Sequence, residues 1–115
     1  MTLTEIAKEF SLGQFQETFP HLTEDIVWTV VGENEFAGKE AVIRNCEQVA
    51  AYFRAVTVNF TLLNSIADQN LVAINGTAEF IRDGQRIAFV SSCDLYEFDS
   101  RHMLSKITSY CIQSQ

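Results

Sequence analysis

The stretch SSCDLYEF, residues 91 to 98, sets one carboxylate, Asp94, inside a run that otherwise has the make-up of a buried β-strand. Burial disfavours the charged form of a carboxyl and raises its pKa. An acid in that condition can act in catalysis as acid or base, or hydrogen-bond a ligand oxygen. Tyr96 shares the parity of Asp94, so both point to one side of the strand. Two readings of Asp94 stand: a polar group at the bottom of a ligand pocket, or an interior acid hydrogen-bonded to a nearby Tyr or Ser. Trp28 lies in the middle of DIVWTVVG and would alternate inward with Ile26 and Val30, as a ligand donor through its N–H or as a large core residue.

Other chemistries find little support. No His is spaced with a Ser or Cys as a nucleophile pair would be. Neither a phosphate-binding glycine motif nor Cys/His metal spacing occurs, so no cofactor and no metal is expected. His21 in PHLTED and His102 in DSRHM sit in loops. The odd set Cys46, Cys93 and Cys111 reads as three buried thiols in a reducing cytosol.

The elements that must hold these residues can be read from periodicity. Leu3, Ile6, Phe10, Phe15 and Phe19 form a helical stripe, with Thr2 or Thr4 as N-cap. Gly13 makes two short helices as consistent as one. A β-branched strand covers 25–32, and a short return strand ends at Gly38. The clearest helix follows, KEAVIRNCEQVAAYFRAV, with Ala41, Val42, Cys46, Val49, Ala50 and Phe53 on its apolar stripe. The rest is a meander of strands. Val56, Val58, Phe60, Leu62 and Ile66 alternate on one face, and Asp83-Gly84 is a hairpin signal. A single α+β domain over 1–115 follows, a curved antiparallel sheet wrapped around about three helices. If side chains do not fill it, such a sheet leaves a funnel, walled by Phe15, Phe19, Trp28, Phe53, Asp94 and Tyr96. Tyr110, near the end of the last strand, would cap that cavity or a dimer seam.

Both faces of IAFVSSCDLYEF carry apolar groups: Ile87, Phe89, Cys93 and Leu95 on one, Val90, Tyr96 and Phe98 with Asp94 on the other. A sheet packed on one side only should show a wet second face. Homodimerisation through the sheet face is therefore expected. A formal charge of −7 repels phosphate backbones and disfavours nucleic acid as a partner. MTLTEIAKEF has no apolar signal core, and no run reaches the roughly 18 apolar residues of a membrane span. The expected location is cytoplasmic.

The block TEDIVWTVVG…FAGKEAVI, the strand–Gly–helix junction at Gly38-Lys39-Glu40-Ala41, and the terminal CDLYEFD…LSKITSY together resemble the nuclear-transport-factor-2-like (NTF2-like) superfamily and its SnoaL-like small-domain group. The resemblance covers nearly the whole chain. It implies a cone-shaped α+β barrel, often dimeric, with an apolar cavity that serves isomerases, cyclases, hydrolases or non-catalytic binders. It also implies that Asp94 matches a cavity acid of ketosteroid isomerases. Thr29 stands where their general-base aspartate would be, and the first helical region offers no Tyr as oxyanion partner. The Asp-Arg-Asp set of the group's epoxide hydrolases is not evident either: Arg44 and Arg54 lack paired acids. The expectation is a small-molecule-binding domain of this group. The alternative is an isomerase, cyclase or hydrolase acting on a small apolar carbonyl compound.

Overall fold

Thr2 opens the first helix. Its hydroxyl accepts from the Glu5 N–H at 3.1 Å while the Glu5 carboxylate accepts from the Thr2 N–H at 2.7 Å. This reciprocal cap satisfies two backbone donors that a helix start leaves free. In the computed structural model, which describes residues 1–114, helix α1 runs Leu3–Ser11 and buries Ile6, Ala7 and Phe10. The helical region is two pieces: a 3-10 helix, Gln16–His21, follows after the break at Gly13, with Pro20 inside it.

Strand β1 (Leu22–Val30) and the short β2 (Asn34–Ala37) precede helix α2 (Lys39–Ala55). The α2 side chains Val42 and Cys46 are buried, and Ile43, Val49, Ala50 and Phe53 pack half-buried against the core. Four long strands complete the chain: β3 (Thr57–Asp68), β4 (Leu71–Arg82), β5 (Gln85–Phe98) and β6 (Leu104–Ser114). The Asp83-Gly84 turn between β4 and β5 has positive φ at both residues, 53° and 76°, as a tight hairpin requires.

The six strands form one curved sheet in the order β2-β1-β6-β5-β4-β3. All neighbours are antiparallel except β1 and β6, which run parallel, with Trp28 opposite Ile107 and Val30 opposite Ser109. The helices lie on one face, and the core sits between the layers: Ile6 and Phe10 from α1, Val42 and Cys46 from α2, Val72, Ile74, Tyr96, Phe98, Leu104 and Ile107 from the sheet. Each large aliphatic side chain so buried contributes about 1.5–3 kcal/mol. Among the described residues no helix is long and apolar enough to cross a membrane.

The alternation expected across all of β3 fails at one point. The register with β4 shifts between Leu62 and Asn64, so Leu63 is an extra residue on β3. A bulge of this kind moves every later side chain to the opposite face. Ile66 therefore pairs with Ala73 on the outer face and is 65% exposed, instead of joining Phe60 inside. Gly76 sits beside the bulge because a Cβ there would lie 2.7 Å from the Thr61 carbonyl oxygen. The three cysteines also divide: Cys46 is buried, while Cys93 and Cys111 are exposed. Strand parity explains this, since Cys93 faces outward and Cys111 reaches the open end of the inner face.

Candidate functional site

Between the inner face of the sheet and the two helices lies a cavity of about 330 Å³. Its walls are aromatic: Phe10 and Phe15 from the N-terminal segment, Trp28 from β1, Phe36 from β2, Phe53 from α2, Phe60 from β3 and Phe80 from β4. Phe10 organises the deep end, meeting Phe15 and Trp28 edge-on at 5.0 Å and Tyr96 at 5.9 Å. Edge-to-face contacts hold such rings in place beyond the area they bury. Into this apolar wall project Ser11, Asn45, Ser92, Asp94, Ser109 and Cys111, and exposed Glu33 and Asn34 stand at the rim.

The polar groups form an ordered network. Ser11, the last residue of α1, donates to Asp94 Oδ2 at 2.8 Å, and its Oγ lies 2.5 Å from the Tyr96 hydroxyl. Ser109 faces Asp94 across the β5–β6 pairing, and its nearby hydroxyl favours the charged carboxyl. The Trp28 indole N–H in turn donates to Ser109 Oγ at 3.0 Å. Burial pushes Asp94 above the ordinary carboxylate range, against the opposing pull of the Ser109 and Ser11 hydroxyls. Burial likewise pushes Tyr96 well up, with the nearby Asp94 charge adding to it. The Cys111 thiol is raised to about 11 by burial and by the charges of Asp94 and Glu33. It therefore stays protonated at neutral pH and is no ready nucleophile.

The residues expected at the site divide accordingly. Phe15, Trp28, Phe53 and Asp94 all line the cavity. Tyr96 is fully buried behind the wall and reaches it only through Ser11. Phe19 borders a different hollow, of about 640 Å³, between the 3-10 helix and α2, where Glu17, Glu47 and Arg54 are its charged neighbours. Tyr110 is half exposed on the outer face opposite Cys93, because Ser109 and Cys111 on either side of it take the inward parity. The Trp28 N–H is already engaged by Ser109. Ser11 and Ser109 carry the network without having been singled out in the sequence. Ser109 is a cross-strand neighbour of Asp94, a register fixed only once β6 is paired; Ser11 is a long-range contact.

Charge is one-sided at this site. Asp94 and Glu33 are its carboxylates, and no Lys, Arg or His is among the lining residues. Arg44 pairs with Glu40 on the exposed side of α2 at 3.0 Å. The Thr29 hydroxyl donates to Glu35 at 3.1 Å, outside the cavity. Among the described residues no group of three or more His, Cys, Asp or Glu side chains is placed to hold a metal.

Comparison with known proteins agrees with the architecture. No curated protein matches the chain in sequence. Among solved structures, an NTF2-like protein of unknown function from Cytophaga hutchinsonii superposes with a TM-score of 0.84 at 32% identity, covering 94% of each chain. An LEH-like epoxide hydrolase of M. tuberculosis gives 0.71 at 18% identity, over 96% of this chain and 82% of that one. The epoxide hydrolase/cyclase-like enzyme SalBIII, of pyran ring formation in the polyether salinomycin, gives 0.73 at 16% identity, over 96% and 90%. At those two identities the likeness is one of fold. The SnoaL-like domain family matches residues 5–107, and with this sheet, these helices and the enclosed acid the chain belongs to that family.

Proposed function

We propose that this chain binds a small, largely apolar molecule in the cavity beneath α1 and α2, with Asp94 as the polar anchor. The observation that carries this reading is a hydrogen-bonded carboxyl projecting into an otherwise aromatic space of about 330 Å³. Aromatic walls with a few convergent polar groups are the usual make-up of small-molecule sites, and the volume falls at their lower end. Native mass spectrometry of protein from its own host tests it. A retained small molecule, released when Phe10 or Phe53 is changed to a polar residue, is the expected result. A cavity that holds only water in every preparation, and takes up no apolar probe, counts against it.

A second reading is an isomerase, cyclase or hydrolase acting on a small apolar carbonyl compound. It is favoured by the upward shift of Asp94, which suits a proton-transfer group, and by the activities named for structural neighbours. Asp94→Asn separates the two: lost turnover with affinity kept marks an enzyme, and lost affinity alone marks a binder.

The partner we propose is a second copy of the chain, seated on the outer face of the sheet. There three successive rows of four cross-strand neighbours, running from Ile66 to Thr108, Asn64 to Tyr110 and Thr61 to Ile112, hold no charged residue. In a chain that is 20% charged this is a segregated surface. It would let two like-charged copies meet with their charges apart.

A further inference from the structure

The polarity of the hydrogen bonds around Asp94 narrows what its ligand can be; the argument rests on the cavity reading above. An indole nitrogen can only donate. Ser109 Oγ therefore accepts from Trp28, and its single hydroxyl proton is left for Asp94. Ser11 spends its proton on Asp94 Oδ2, so the Tyr96 hydroxyl must be the donor in its contact with Ser11. The Tyr96 to Ser11 relay thus ends on the carboxyl, and the Ser109 proton, freed by Trp28, lies across the strand pair from the same group. Asp94 is built as an acceptor.

That acceptor has no cationic partner from the protein. Lys, Arg and His are absent from the cavity lining, and the other carboxylate there, Glu33, adds negative charge at the rim. A buried carboxylate is stable only when paired or amply hydrogen-bonded. The aromatic side chains that line the cavity attract cations through their ring faces. The net charge of −7 raises the local concentration of cations and lowers that of anions.

We propose that the cavity selects an apolar amine, whose protonated nitrogen donates to Asp94 and supplies the counter-charge the protein withholds. The arrangement disfavours carboxylates, and the Trp28, Tyr96 and Ser11 donors nearest Asp94 are already committed, so a bare ketone or ester oxygen gains nothing from the acid.

The test compares two ligands of one carbon skeleton, 4-phenylbutan-2-amine and 4-phenylbutan-2-one, by calorimetric titration at neutral pH, with the Trp28 indole N–H resonance reporting occupancy of this cavity. A charge-assisted hydrogen bond predicts that the amine binds about tenfold tighter or more. Asp94→Asn should remove that preference. The wild-type comparison stands whether or not the variant folds. Ketone binding equal to or tighter than amine binding overturns the amine assignment but leaves the cavity reading intact and favours the catalytic one. An amine preference that survives in folded Asp94→Asn, or that leaves the Trp28 resonance unmoved, overturns it as surface attraction. If neither compound binds, both the amine assignment and the cavity reading fall.

Discussion

Asp94 carries a pH signature whose sign follows from its surroundings. Its folded pKa lies above the unfolded value, so between the two the native state binds more protons. Stability must then fall as pH rises from near the ordinary 3.8 through the raised value, and level off above it. Glu5 and Glu79 are shifted down by exposed hydrogen bonds and act in the opposite sense. They cancel when wild type is compared with Asp94→Asn. Urea unfolding of both proteins between pH 3.5 and 7.5 should show the wild type losing ground to the variant as pH rises; a difference flat in pH would refute the burial of the carboxyl. Ser109 gives a second test. Ser109→Ala leaves the buried Trp28 N–H without its acceptor and should cost about 1–3 kcal/mol. Adding Trp28→Phe should remove much of that penalty, so a double-mutant cycle should return a coupling of about 1 kcal/mol. Strict additivity would mean that the Trp28 to Ser109 relay contributes nothing. Asp94 and Trp28 were legible in the sequence because strand parity alone decides which way they face. Tyr96 had the right parity too, but parity does not report depth, and the Phe10 ring fills the space before it.

The elements themselves were largely legible. β4 and β5 coincide with the alternating runs between DQN and DSRHM, and α2 with its apolar stripe, since periodicity and turn residues act locally. The β3 bulge was not, because an extra residue in a strand is defined only against its partner's register. Nor was the parallel seating of β6 against β1, a pairing between the two ends of the chain. The bulge also sets the Thr61 carbonyl close against Gly76. Gly76→Ala would drive a methyl against the Thr61 carbonyl, backbone against backbone, and should cost about 1–3 kcal/mol. Gly84→Ala has open space and only the strain of its positive φ, about 1 kcal/mol. Chemical denaturation of the two variants should rank them in that order. The reverse would show that β3 slides freely past its neighbour.

For the molecule as a whole, the three uncharged rows at the middle of the outer face make association the central expectation. Sedimentation velocity should give wild type at twice the mass of the chain. Ile66→Lys with Ile112→Lys, both on strongly exposed positions, should give a folded monomer. Wild type that sediments as a monomer at micromolar concentration would leave that surface without a second copy. One feature of the sheet reaches further than any single contact. The parallel strand β6 is the link between the β2-β1 pair and the β5-β4-β3 block, and it also brings Ser109. β6 follows the other five strands along the chain, so the two parts of the sheet join only when it pairs with β1 on one side and β5 on the other. Ser109 comes into place in the same event, so the Trp28 N–H finds its buried acceptor only once the sheet is whole.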